Sequence, residues 1–457
     1  MKYFLLLLVL AFSFAGNNSN EVHILSNIDL ASIFILISAL LMYINYRFIK
    51  MPMTIGVMLL SLIGSMIIAS TVFFYPELST RFEDVIKPLD FNKLLMHGML
   101  SFLLFAGSLH VDLSDLMKQK FIISILATLG VVFSTFVVGT VTYYIFNGIL
   151  DLKIEYIYCL LFGSLISPTD PIAVLGILKE TNSPKSLETT IVGESLFNDG
   201  VGVVVFMVIL GTIIPIEHGP GPIGLFAKEA IGGLIYGLFL GYVFYLLLKS
   251  IDNYPLEIML TLALVMAGYT FAHKIGVSGP LAMVVAGLFI GNHGKLFAMS
   301  ESTHKQLFSF WELIDEFLNA VLFVLMGMQL IFILKTFQLE YLYAGLICIP
   351  LILFIRYIGI KIPLTLLGKK SNLPKGSDYV MTWCGLRGGI SIALALSLSS
   401  KTLEKTADIS SKAHGHILFL DSSSVDIIIT ATFIIVAFSI LVQGLTSKSA
   451  VNKFIDD

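Results

Sequence analysis

The chain has 457 residues, of which 56% are hydrophobic and only 13% are charged. Soluble domains contain about 25% charged residues, so this composition excludes an ordinary soluble protein and predicts an all-α polytopic membrane protein. The net charge of −3 gives no reason to expect a nucleic-acid partner.

The first residues have the pattern of a secretory signal peptide. Met1 and Lys2 precede a short apolar run that ends at Ala15, and Gly16 and a polar segment follow. The run is short for a spanning helix, and small residues lie near its end as they do before cleavage sites. We therefore predict that residues 1–16 are a signal peptide, with a retained first helix as the alternative.

Thirteen apolar segments follow, each close to the length of about 20 residues that a membrane-spanning helix needs. They lie at about residues 28–47, 53–73, 94–111, 121–147, 155–178, 188–214, 223–248, 256–273, 279–292, 308–333, 340–363, 378–399 and 425–445. We expect a transmembrane domain at 28–445 and a short cytoplasmic tail at 446–457. The predicted inner loops contain more Lys and Arg than the outer loops, which favours an N-terminus outside and a C-terminus in the cytoplasm.

Two of these predicted spans are interrupted. In the fifth, Pro168 and Pro171 flank Asp170, and proline breaks a helix because it lacks an N–H and clashes with the preceding turn. In the twelfth, residues 385–389 contain three glycines and an arginine. Unwound backbone persists inside a membrane only where protein or a water-filled cavity covers it. Interruptions in corresponding places of two halves indicate an inverted-repeat secondary transporter with its site near the midplane.

The sixth predicted span holds four polar residues within two helical turns, namely Glu194, Ser195, Asn198 and Asp199. A carboxylate inside a membrane is costly and indicates function by default. Ser195 and Asp199 share a helix face, and their oxygens suit a hard monovalent cation. Burial favours the uncharged form of a carboxylate, so Asp199 is predicted to bind either a proton or a cation. A buried structural ion pair is the alternative interpretation.

Asp170 and Thr169 lie at the first interruption. Asp170 followed by Pro171 would cap a half-helix and offset the positive end of its dipole. Direct ligation of an ion by Asp170 is the alternative. Thr169 could offer its carbonyl or its hydroxyl oxygen in the unwound stretch.

The predicted spans contain two arginines, Arg356 and Arg387. Buried charges should pair, and Glu194 with Arg356 is the favoured structural pair. Arg387 lies at the second interruption, where it could neutralise carbonyls at a helix end; either arginine could instead face a water-filled cavity. Asn319, deep in the tenth span, could hydrogen-bond across helices. Glycines in the seventh span form a small-residue ridge that should pack on a helix of the same chain: Gly233, Gly237 and Gly241.

Together these motifs resemble the monovalent cation/proton antiporters of the sodium/hydrogen exchanger (NhaP-like) family. The matching residues are Thr169-Asp170-Pro171, Glu194 through Asp199, Phe310-Trp311, Asn319, Gly327, Arg356 and Gly385 through Gly388. The resemblance implies the sodium/proton antiporter fold: about 13 transmembrane helices in an inverted repeat with two broken, crossing helices. It also implies a homodimer in the plasma (inner) membrane that exchanges Na⁺, with Li⁺ or K⁺ as other candidate cations, for H⁺. No cofactor and no enzymatic activity are expected.

The resemblance also assigns roles to the site residues. Asp199 would alternate between proton and cation, and Ser195 and Thr169 would assist as ligands of the monovalent cation. Glu194 and Arg356 would brace the core. The Asn198-Asp199 pair, as opposed to two aspartates, goes with electroneutral exchange of one cation for one proton in this family.

Three other functions compete with this one. A potassium/proton antiporter of the same fold would use the same types of ligand, and Ala106 stands where some members have a third-span glutamate, which leaves selectivity open. An intramembrane aspartyl protease could use Asp170 and Asp199, but no Gly-x-Gly-Asp stretch is present. A non-transporting membrane sensor is disfavoured because Asp199 and Arg387 are both retained.

Overall fold

The computed structural model describes residues 27–74, 98–170, 174, 178, 181, 183–213, 221–294, 299–333, 338–398 and 422–455. The predicted signal peptide lies outside these residues. The described part is helical, and its one extended pairing is a single bridge between Asp170 and Leu386. In chain order the helices are α1 (Asn27–Ile44), α2 (Met53–Phe74), α3 (Leu100–Leu109), α4 (Leu113–Lys118), α5 (Lys120–Ser124), α6 (Val131–Gly148), α7 (Tyr156–Ile166), α8 (Lys185–Ile213), α9 (Pro222–Lys249), α10 (Tyr254–Ile275), α11 (Gly279–Phe289), α12 (Glu301–Ile333), α13 (Leu339–Leu367), α14 (Ser377–Trp383), α15 (Gly389–Ser397), α16 (Ser422–Phe438) and α17 (Leu445–Phe454).

Within the described residues, seven helical stretches are long and apolar enough to cross a membrane by themselves. Helices satisfy all their backbone hydrogen bonds internally, which is the requirement for a chain segment in hydrocarbon. The structure therefore agrees with an all-helical, multi-pass protein, while the count of thirteen spans stays a prediction.

Both predicted interruptions are present. Helix α7 ends at Ile166, and the backbone from Ser167 to Asp170 is not helical. The twelfth span is divided into α14 and α15, with Cys384–Gly388 between them. Prolines at the first site and glycines at the second account for where the helices stop.

Two predicted boundaries differ from the structure. Helix α12 begins at Glu301 rather than near residue 308, because a polar first turn extends the helix beyond its apolar stretch. The predicted tail is helical for most of its length, since α17 runs to Phe454 and buries Ser447 and Val451. It packs against α14, so the end of the described chain is part of the folded domain.

The glycine ridge of α9 packs on α11 of the same chain, as the sequence predicts. A Cβ atom added at Gly233 would lie 2.7 Å from the Ser278 carbonyl oxygen, and one at Gly241 would lie 2.9 Å from Phe289 Cβ. Only glycine allows these backbones to approach so closely. Helix α11 also packs on α3, which forms one wall of the site described next.

Candidate ion-binding site

The two interrupted segments cross each other near the centre of the domain. The Asp170 N–H donates to the Leu386 carbonyl oxygen over 2.8 Å, which forms the single bridge between them. A Cβ atom added at Gly388 would lie 2.8 Å from Asp170 Cβ, so the second segment needs a glycine where it passes the first. The crossing brings polar backbone from both segments to one place.

Arg387 lies buried at the centre of this crossing. Its guanidinium donates to the carbonyl oxygens of Ser167 and Pro168, the latter over 2.8 Å. Its own N–H donates to Ser439 Oγ over 2.8 Å, in a π-helical turn between α16 and α17. These carbonyls follow the last turn of α7 and have no intrahelical partner of the usual kind, so the arginine satisfies groups that the interruption exposes.

Helix α8 runs past the crossing and is tied to it through Thr169. The Thr169 N–H donates to Asn198 Oδ1 over 3.2 Å, and Asn198 Nδ2 donates to Thr169 Oγ1 over 2.9 Å. The hydroxyl oxygens of Thr169 and Ser195 lie 2.9 Å apart in a further hydrogen bond. Ser195 therefore contacts Thr169, and among the described residues no hydrogen bond reaches the Asp199 carboxylate.

A cavity of about 60 Å³ lies beside this network. One water needs about 10–15 Å³ of such space, so the cavity has room for a few waters or a partly hydrated ion. Its wall contains apolar side chains from α3 and α12 together with polar groups from the crossing, including Thr169, Asp170, Asp199, Asn319 and Ser391. Asp199 is 7% exposed.

The structure divides the predicted site residues between two places. Thr169, Asp170 and Asp199 line this cavity. Asn198 lines a smaller cavity of about 20 Å³ on the other side of the crossing, together with Glu194 and both arginines. Ser195 lies buried behind Thr169.

Glu194 and Arg356 form the buried ion pair expected from the sequence. Arg356 Nη1 donates to Glu194 Oε1 over 3.0 Å, and Nη2 donates to Oε2 over 3.3 Å. Arg356 Nε also donates to the Met381 carbonyl oxygen of α14 over 3.2 Å. The pair thus links α8, α13 and α14. A Cβ atom added at Gly385 would lie 2.6 Å from Arg356 Nη2, so the second interruption also needs a glycine here.

Three residues differ from the sequence-based expectation or were missed by it. Asn319 Nδ2 donates to the Asp315 carbonyl oxygen of its own helix over 2.8 Å, so the predicted bond across helices was wrong. Ala106 is fully buried but lies outside the cavity wall, to which α3 contributes Leu103 and Gly107. Ser391 was missed, although a serine four residues after Arg387 was visible in the sequence.

A family model described as sodium/hydrogen exchanger, transmembrane, matches residues 35–453. The chain belongs to the sodium/hydrogen exchanger family. Over 434 residues it is 45% identical to the Na(+)/H(+) antiporter NhaP of Pseudomonas aeruginosa, which covers 93% of this chain and 96% of that protein. It is 32% identical over 368 residues to the Na(+)/H(+) antiporter NhaH of Halobacillus aidingensis, with 79% and 83% covered.

The fold of this exchanger-family chain is also found in a solved structure. The sodium proton antiporter MjNhaP1 from Methanocaldococcus jannaschii superposes with a TM-score of 0.72 at 20% identity, covering 98% of this chain and 100% of that chain. The family resemblance and the fold class predicted from the sequence are thereby confirmed.

Proposed function

We propose that this member of the sodium/hydrogen exchanger family exchanges one Na⁺ for one H⁺ across the membrane. The observation that best supports this is Asp199, a buried carboxylate on the wall of the cavity where the two interrupted segments cross. A carboxylate out of bulk water binds a proton or a cation, and each excludes the other. Two relatives named as Na(+)/H(+) antiporters support sodium as the cation.

The charge of the site explains why the exchange would move no net charge. With a proton bound, the side chain of Asp199 is neutral; with Na⁺ bound, carboxylate and cation again sum to zero. Asn198, the neighbour of Asp199, is uncharged and adds nothing to either form. The site therefore has the same charge in both loaded states, and one cation is exchanged for one proton.

The remaining polar groups have separate tasks in this proposal. The Thr169 hydroxyl and the Asp199 carboxylate ligate the cation from two sides of the cavity wall, and cavity waters complete its coordination. Ser195 and Asn198 hold Thr169 in place through the hydrogen bonds described above. Asp170 sits beside the N-terminus of α15, where a negative charge is favourable.

Transport would proceed by alternating access, with the site open to one side of the membrane at a time. The surplus of Lys and Arg in the predicted inner loops supports an N-terminus outside and a C-terminus in the cytoplasm of a bacterial inner membrane. Family membership supports a homodimer. Glu194 and Arg356 act as a structural brace in this scheme.

Proton flux in proteoliposomes tests the proposal. A pH-sensitive dye is enclosed, Na⁺, Li⁺ or K⁺ is added outside, and each addition is repeated with an ionophore that shunts charge. We expect a dye response to Na⁺ that the shunt does not change. The variant Asp199→Asn should remove this response and remain folded, because an amide has a similar shape but binds no proton and carries no charge.

Asp378→Asn is the matched control, since Asp378 is a buried acid that pairs with Lys361 away from the cavity. It should retain exchange. A wild-type-like flux from Asp199→Asn would overturn the assignment of Asp199. A response to K⁺ alone would replace the cation, and no response to any cation would favour a sensor over a transporter.

A further inference from the structure

Ser391 has an unusual position for a buried hydroxyl. It lies in the first turn of α15, is 1% exposed, and belongs to the wall of the cavity that contains Asp199. Among the described residues its Oγ has no hydrogen-bond partner. The residues before it, from Gly388 to Ile390, line the same cavity.

The missing partner needs an explanation. A buried hydroxyl usually donates to a carbonyl one turn back in its own helix, as Ser397 does at the other end of α15, where its Oγ donates to the Leu394 carbonyl over 2.6 Å. Ser391 does not make this bond. Buried polar groups without a partner are rare and often mark a place where an ion, a water or a ligand binds.

We propose that Ser391 is a ligand of the transported cation, contributed by the second interrupted segment. This rests on the proposed exchange at Asp199. Thr169 lies on the first segment, Asp199 on α8 and Ser391 on α15, so the three oxygens reach the cavity from three different elements. Oxygen ligands of this kind suit a hard cation.

A hydroxyl also fits the charge of the site. It adds an oxygen to the coordination sphere without adding a charge, so the neutral balance between the proton-bound and cation-bound forms is kept. Ala106 supplies no acid from α3. An uncharged ligand on α15 provides coordination that does not depend on a second carboxylate.

Thermal unfolding of the purified full-length chain in detergent tests the proposal without measuring transport. Wild type and variants are titrated with NaCl against choline chloride at equal ionic strength. Without Na⁺, Ser391→Ala should unfold no earlier than wild type, because the lost hydroxyl has no partner in the protein. It should need about three- to tenfold more Na⁺ for the same stabilisation, the range expected for one hydrogen-bond-strength contact.

Two further variants separate ligation from packing. Ser391→Thr retains a hydroxyl and should keep an Na⁺ dependence close to wild type. Ser397→Ala removes a buried hydroxyl of the same helix outside the cavity, and should leave the Na⁺ dependence unchanged. In proteoliposomes, Ser391→Ala should raise KM for Na⁺ by the same factor and keep the maximal rate.

An Na⁺ titration of Ser391→Ala that superimposes on wild type would overturn the proposal. So would a loss of stability without Na⁺ that accounts for the whole effect, because Ser391 would then be structural. These outcomes leave the exchange function intact. If wild type itself shows neither stabilisation by Na⁺ nor flux, the proposed function fails, and the role of Ser391 fails with it.

Discussion

The ion pair between Glu194 and Arg356 gives the sharpest stability prediction. At the observed 3.0 Å, two unit charges attract by about 5–6 kcal/mol with an effective dielectric constant of about 20. Their side chains are 3% and 10% exposed, so desolvation offsets much of this attraction. Removing one partner leaves the other charge buried alone, and we expect Glu194→Gln to lower the free energy of unfolding by about 3–5 kcal/mol.

A second ion pair serves as the matched control. Lys361 pairs with Asp378, but the lysine side chain is 47% exposed. Solvent screens such a pair, so Asp378→Asn should cost at most about 1 kcal/mol. Arg356→Gln in the Glu194→Gln background should restore part of the lost stability, because it removes the unpaired charge. A double-mutant cycle then gives the coupling between the two residues.

The assay is the temperature at which half of the detergent-solubilised protein loses its monodisperse peak, with proton flux measured on the same preparations. Glu194→Gln should unfold well below Asp378→Asn, with exchange lost only in proportion to the folded fraction. Wild-type stability in Glu194→Gln would refute the brace. If exchange were also abolished, Glu194 would belong to the transport machinery.

Two further predictions concern the second interruption and the topology. Gly385→Ala should lower stability by about 1–3 kcal/mol, because the new methyl group would lie against the Arg356 guanidinium, whereas Gly64→Ala, which meets nothing within 4 Å, should be neutral; equal stability of the two variants would contradict this. In intact cells a membrane-impermeant maleimide should label an exposed cysteine at Glu155→Cys and not one at Lys118→Cys, with little background because Cys159, Cys348 and Cys384 are buried. The reverse pattern would invert the proposed orientation.

The sequence predicts the interruptions well because their causes are local. Proline at 168 and glycines around Arg387 stop a helix whatever surrounds them, and both breaks lie where they were expected. The ends of α12 and α17 were less accessible, because their polar turns resemble loops when only hydropathy is considered. A helix that continues outside the membrane needs no apolar residues on most of its faces.

The site was only partly predictable because its contacts depend on how helices cross. The i, i+4 spacing of Ser195 and Asp199 places them on one face, yet Ser195 bonds to Thr169 of another segment. Asn319 bonds to a carbonyl of its own helix, a local option open to any asparagine in a helix. Ser391 reaches the cavity only because α15 begins at the crossing, and no sequence spacing gives that position.

The cavity has two unlike walls, and this has a mechanical consequence. The polar wall is stitched together by the hydrogen bonds of Arg387, Thr169 and Asp170, all of which run within the crossing and α8 or to the adjoining turn after α16. The facing wall from α3 and α12 contributes mainly apolar side chains. Parting the walls breaks none of these hydrogen bonds. The cavity therefore lies on a cleavage plane, along which one rigid block can slide past the other at the cost of van der Waals contact alone.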